Sequence, residues 1–251
     1  MRRILALSGG SYQHHRTWSE PKYRAYLSEV VYLLDLPAVD LRRFDAVVLP
    51  DRLHRGRLAA AGDALRRFLQ AGGIVVAFGE QTEPWLPGVR WEDRPTNFWW
   101  WREPGGSSGL RCAAPNHPLF RYVSLEDCTW HYHGVFWPPA GAQTLVATQD
   151  GGAVVYEDTV STPGLLFLAT LDPVYHFGSH FMPATERFLD GFLRWLSESE
   201  PLSSSRHSRS PHGPERPAPE RAWPGFSSWK TTGYSAGCCR RPWRPRGTRS
   251  W

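Results

Sequence analysis

Apolar residues in the first third of the chain fall into short unbroken runs, separated by stretches of helical periodicity. Residues 4–7 (ILAL) are closed by Ser8-Gly9-Gly10, as expected of a strand buried on both faces. Behind Pro21, the positions Tyr23, Leu27, Val30, Val31 and Leu34 recur at helical spacing and predict a helix over 22–34. Residues 44–49 (FDAVVL) form a second apolar run, ended by Pro50-Asp51. Leu58, Ala61, Leu65, Phe68 and Leu69 then mark one face of a helix over 58–70, which Gly72-Gly73 stops. Residues 74–78 (IVVAF) make a third buried strand, and a weaker one falls at 36–41. Alternating strands and helices predict a parallel sheet with right-handed crossovers.

After Gly79 the texture changes. Residues 84–116 are rich in Pro, Gly and Trp, with Trp85, Trp91 and the run Trp99-Trp100-Trp101. They read as an irregular insertion with room for one strand. Three β-like runs follow at 143–148, 153–157 and 165–170, joined by the turn signals Asp150-Gly151-Gly152 and Thr162-Pro163-Gly164. A last amphipathic helix, 184–196, sets Phe188, Leu189, Phe192, Trp195 and Leu196 against the sheet.

Charge divides the chain. The net charge of +5 suggests a basic protein, yet residues 1–200 hold 19 Lys and Arg against 22 Asp and Glu. The remaining residues hold 10 against 2. The domain therefore has no basic footprint for nucleic acid or an anionic membrane. Residues 199–251 read as a separate disordered basic tail on composition. Its tryptophans (Trp223, Trp229, Trp243, Trp251) and Cys238-Cys239 are foreign to solvated disorder. A G/C-rich gene read out of frame accounts for them; a tail that binds polyanions is the competing reading. Cys112 and Cys128, at unrelated positions, make neither a disulfide framework nor a metal motif and suit a reducing cytoplasm. The first apolar run is too short for a signal-peptide core, and no run reaches membrane-spanning length.

The strand ending in Ser8-Gly9-Gly10 with His14-His15 beyond it, the FDAVVLP strand and the Gly72-Gly73-Ile74-Val75-Val76 strand resemble the class I glutamine amidotransferase-like superfamily. Within it, the stretch 117–120 (HPLF) and the late strand running into Leu171-Asp172-Pro173-Val174-Tyr175-His176 are similar to the trehalose-utilisation (ThuA-like) group. The resemblance covers roughly residues 3 to 197 and implies an α/β domain over 1–198 with a flavodoxin-like, amidotransferase-like architecture. That is an open, mostly parallel sheet with flanking helices and a β-rich, Trp-rich second half. The departure from the family is chemical. Amidotransferases carry a nucleophilic cysteine on the turn after the strand matching 74–78, where this chain reads Gly79-Glu80-Gln81-Thr82-Glu83. Without that thiolate, attack on a glutamine amide has no nucleophile.

Ligands of open parallel sheets bind beyond the carboxyl ends of the strands. Those ends supply Gly9, Gly10, His14 and His15 after the first strand and Asp51 after the second. Glu80 and Gln81 follow the third, and Asp172, His176 and His180 follow the last run. His14, His15, Glu80 and His176 are the candidates for acid–base work; Gly9, Gly10, Asp51, Gln81, Asp172 and His180 are candidates for holding the ligand. Polar strand ends also arise simply because they meet solvent and cap helices. Trp100, in the Trp99–101 platform, would stack on a sugar ring; core cover or a contact between subunits of a homo-oligomer is the plainer reading. In Trp130-His131-Tyr132-His133 a strand would set His131 and His133 on one face, where they could share a divalent metal with His176, His180, His14 or Glu80 as third ligand; two packing histidines hydrogen-bonded to backbone are the plainer reading, and no other cofactor is implied. The leading expectation is a non-glutaminase domain that binds a small polar molecule, with a sugar as one choice. A non-catalytic interaction protein and a metal-dependent hydrolase are the alternatives.

Overall fold

The structure, a computed structural model, describes residues 1–82, 85, 88–95, 98–180 and 182–198. The expected basic tail of residues 199–251 lies outside the described residues. The buried runs become β1 (Ile4–Ser8), β3 (Ala46–Leu49) and β4 (Ile74–Phe78), with β2 (Glu29–Tyr32) on the outer side of β1. β10 (Leu165–Ala169) pairs in parallel with β4. The parallel part of the sheet therefore runs β2-β1-β3-β4-β10. Its other part is antiparallel: β9 (Ala153–Asp158) on β10, then β7 (Gly134–Phe136) and β8 (Gln143–Thr148) on β9. The short strands β5 (Trp91–Asp93) and β6 (Leu110–Cys112) extend β7 and β8.

Alternation along the parallel strands explains the two cores. Ile4, Ala6, Ala46, Val48, Ile74, Val76 and Phe78 face one side, and Leu5, Leu7, Val47, Leu49, Val75 and Ala77 the other. The second face packs on α3 (Arg55–Gln70) through Leu58, Leu65 and Phe68. The first face packs on α5 (Pro183–Glu198) through Phe188, Phe192 and Leu196, and on Trp18 of α1 (Tyr12–Ser19). α2 (Pro21–Arg24) and α4 (Pro173–Gly178) lie on that same side, α4 against α1. No helix among the described residues is long and apolar enough to cross a membrane.

Two sequence expectations change, and one helix goes unread. The helix over 22–34 is instead α2, a turn and β2. Tyr23, Leu27 and Val31 are buried as the pattern requires, but Val30 and Val31 pair with Ala6 and Leu7 of β1. Contiguous β-branched residues suit that pleated edge better than a helix. The weak strand at 36–41 is two 3₁₀ turns, Leu33–Ala38 and Leu41–Arg43, the first containing Pro37. α1 escapes the apolar pattern because its segment, YQHHRTWS, is mostly polar. Its local signal is Ser11, whose hydroxyl caps the helix by accepting the His14 amide at 3.2 Å.

Candidate functional site

The carboxyl ends of β1, β3, β4 and β10 lie side by side because these strands are parallel neighbours. Beyond β1, His14 is buried on the first turn of α1. Its Nδ1 accepts the Gly9 amide hydrogen at 2.8 Å, so the ring proton sits on Nε2 and is donated to the Asp51 carbonyl, also at 2.8 Å. Burial holds this imidazole below its ordinary pKa. Both nitrogens thus tie the ends of β1 and β3 together.

Asp51, next after Pro50, is itself buried. Its Oδ2 accepts the first free amides of α4, from Val174 and Tyr175, at 3.1 and 3.3 Å. Oδ1 has no hydrogen-bond partner among the described residues. Burial, and then repulsion from the Asp172 carboxylate, push its pKa up to about 8, against those two amides and Arg52. A folded-state pKa raised above 3.8 contributes stability that is complete below the unfolded value. That contribution is lost as pH rises toward the folded one. Asp51→Asn keeps an acceptor for both amides without the charge. Its melting temperature is therefore expected to fall less than that of the wild type between about pH 4 and about 8. Parallel pH profiles for the two proteins would show that Asp51 does not carry this loss.

The turn after β4 is held against Asp51. Gly79 has φ +78°, and a Cβ there would stand 2.8 Å from the Asp51 Cβ. Its amide is shared by the Ala169 and Leu171 carbonyls, each at 2.9 Å. This anchors β4 to the end of β10 and delivers Asp172 next to Asp51.

Asp172 is the centre of a polar cluster. The buried indole of Trp130 donates to its Oδ1 at 3.2 Å, and His176 Nε2 lies 3.2 Å from the same oxygen. Arg52 approaches Oδ2 at 3.4 Å, its guanidinium stacked 3.6 Å from the Tyr175 ring centroid. His133 Nε2 is 3.9 Å from Oδ2, and His131 Nε2 is 4.0 Å from Oδ1. The Nε2 atoms of His131 and His176 face each other at 2.9 Å. Burial alone would raise the Asp172 pKa; the His176 hydrogen bond, with His131 and Trp130 beside it, outweighs burial and holds it low. Burial also depresses His131, to about 4. The site therefore pairs an ionised carboxylate with a neutral His131 imidazole. Phe98 roofs the rings of His131 and His133, with centroids 4.7 and 5.5 Å away.

In front of this cluster lies a cavity of about 270 Å³ lined by Asp51, Arg52, Glu80, Gln81, His133 and Asp172, among others. Glu80 is exposed and pairs with Arg55 at 2.5 Å. Gln81 is buried, donating to the Phe78 carbonyl at 3.0 Å and accepting the Trp85 indole at 2.7 Å. A larger hollow, of about 1380 Å³, opens at the opposite end of the strands around Arg3, Asp45 and Ile74. It contains no histidine and no buried charge, only surface pairs such as Arg3–Asp45.

Of the residues singled out in the sequence, Asp51, Glu80, Gln81 and Asp172 meet in the cavity, and His176 joins them through Asp172. His14 stands behind the cavity with Gly9, and a Cβ on Gly10 would meet the Tyr32 ring. His15 and His180 are exposed, and neither they nor Trp100, in a 3₁₀ turn, lines the cavity. Residues 130–133 do not form a strand as expected; they are the loop into β7, because the ladder with β5 begins only at Gly134. The His131 and His133 rings nevertheless come within 5.3 Å, edge to face. Sequence reading missed Arg52 and Trp130. Only Arg52 left a signal, by following Asp51 at a strand end.

No family model matches the chain, and no curated protein matches it. Among solved structures it is similar to a cytoplasmic protein from Salmonella typhimurium LT2, at 11% identity and TM-score 0.49, covering 78% of this chain and 100% of that one. It is also similar to a glutamine amidotransferase from Thermotoga maritima, at 12% identity and TM-score 0.45, covering 77% and 83%. An exo-β-1,4-mannosidase from an Opitutaceae bacterium matches at 11% identity and TM-score 0.45. That match covers 78% of this chain, which spans 36% of the mannosidase. Likenesses this remote carry no argument about activity, so the functional reading rests on the chain's own geometry.

Proposed function

We propose that this chain is an amidotransferase-like domain that binds a small polar ligand in the crevice at the carboxyl ends of β3, β4 and β10, without glutaminase chemistry. The observation that carries the reading is the meeting of Asp51, Arg52, Glu80, His133 and Asp172, from separate segments, around one cavity of about 270 Å³. Both signs of charge and an imidazole suit a ligand rich in hydroxyl and carboxyl groups, and a carbohydrate of the ThuA-like kind is the choice we favour. Acid–base work falls to Glu80 at the rim. The reading also takes the chain as cytoplasmic, in keeping with its free cysteines at positions 112 and 128.

The reading leaves out glutamine hydrolysis on chemical grounds. No cysteine lies between Ile74 and Arg111. The Cys128 thiol is fully buried, and burial raises its pKa, so it is not a thiolate. No ammonia release from glutamine above the buffer rate is expected. Release that disappears on Cys112→Ser or Cys128→Ser would contradict the reading. The ligand itself is sought by thermal shift against hexoses and sugar acids, of which at least one is expected to stabilise the protein by mass action.

A further inference from the structure

We propose that His131, His176 and Asp172 bind a divalent transition metal, with His133 placed beside the same carboxylate to complete the shell. The inference deepens the crevice reading and rests on it only in that Asp172 opens onto the cavity.

The three donor atoms are His131 Nε2, His176 Nε2 and Asp172 Oδ1, and all lie within 4.8 Å of one another. Metal–ligand bonds of about 2.0–2.1 Å set neighbouring donors of a tetrahedral shell about 3.3 Å apart. The His131–His176 edge is 2.9 Å and the His176–Asp172 edge 3.2 Å. The third edge, at 4.0 Å, closes with a shift of about 0.7 Å. The side chains are sheltered, at 11%, 6% and 5% exposure for His131, His176 and Asp172. Asp172 is further oriented by the Trp130 indole, the kind of support that fixes a carboxylate ligand.

Hydrogen bonding among the three groups alone is poorly balanced. A proton on His176 Nε2 must be divided between the carboxylate and the second imidazole. A proton on His131 Nε2 instead leaves the His176 lone pair facing a carboxylate oxygen at 3.2 Å. One cation accepts all three lone pairs and offsets the buried negative charge. Two imidazoles and a carboxylate suit zinc, iron(II) or manganese(II) rather than magnesium or calcium, which take oxygen shells. Only Asp172 of the three lines the cavity; the fourth position of a tetrahedral shell falls to His133, whose Nε2 is 3.9 Å from Asp172 Oδ2.

The test uses the full chain carrying Cys238→Ser and Cys239→Ser, which removes the adjacent thiols as competing ligands. After treatment with EDTA and buffer exchange, the protein is titrated calorimetrically with Zn²⁺, and with Co²⁺ while the visible absorption is recorded. One ion per chain is expected, with a Co²⁺ spectrum showing nitrogen ligation. His131→Ala and Asp172→Asn are each expected to weaken binding by about 100-fold or more, beyond the loss from outer-shell partners. The Co²⁺ spectrum of the unmutated site keeps the test decisive if a variant misfolds. Substoichiometric uptake, or uptake undiminished in both variants, overturns the proposal. A sugar or sugar acid that binds in EDTA while no metal does would overturn the metal site and leave the crevice standing. Metal uptake without small-molecule binding would support the site and count against the crevice.

Discussion

Gly79→Ala is expected to lower the melting temperature by roughly 5–15 °C, through a loss of roughly 2–5 kcal/mol. Two costs add. The residue occupies φ +78°, where a side chain meets its own backbone. The new methyl would also stand 2.8 Å from the Asp51 Cβ, closer than packing tolerates. Asp51 cannot readily move away, because its carboxylate holds the amides of Val174 and Tyr175 and its carbonyl holds His14. Calorimetric unfolding checks this, and a fall of less than about 2 °C would mean that the turn is free to rearrange. The position matters for function because Gly79 separates β4 from Glu80 and sets the wall of the cavity.

Phe192→Ala is expected to cost about 3–5 kcal/mol, the usual loss for a fully buried aromatic side chain. Phe192 has no exposed surface. It stacks on Phe188 at 5.5 Å and meets Phe78, Phe167 and Trp195 at 5.2, 5.1 and 5.5 Å. The void left would lie directly under the ends of β4 and β10, so cavity-lining groups should become more mobile as stability falls. Denaturant unfolding with an unchanged slope and a lower midpoint is the expected result. An unshifted midpoint would mean that α5 does not seal this face of the sheet.

Most of the parallel sheet was legible because its strands are continuous apolar runs with Gly or Pro at their ends. 74–78 and 165–170 read correctly for that reason, and α3 and α5 showed clean helical stripes. Periodicity failed at 22–34, where Tyr23, Leu27 and Val31 are buried by a turn and an edge strand that mimic one helical face. It failed at α1 because that helix buries His14, Thr17 and Trp18 rather than aliphatic residues. The site was legible as a set of strand ends, and Asp51, Glu80, Gln81 and Asp172 do meet there. The role of His14 was not legible, since only the three-dimensional contact with the Asp51 carbonyl shows that its nitrogens are engaged. His176 was one of four candidate third ligands beside His131 and His133; its place next to His131, 45 positions away, depends on how the loop before β7 folds over α4.

The crevice is tested most directly by titrating the best sugar or sugar acid from the thermal-shift panel into the wild type, Glu80→Ala and Arg42→Ala. Glu80 is exposed and its one described ion pair is with Arg55 at the surface, so its loss should move the melting temperature little. Arg42 lies at the opposite end of the strands, paired with Asp40. The account predicts that Glu80→Ala weakens binding about 10-fold or more, the loss of a charge-assisted hydrogen bond, while Arg42→Ala binds as the wild type does. Equal affinity in all three proteins, or loss confined to Arg42→Ala, would contradict it.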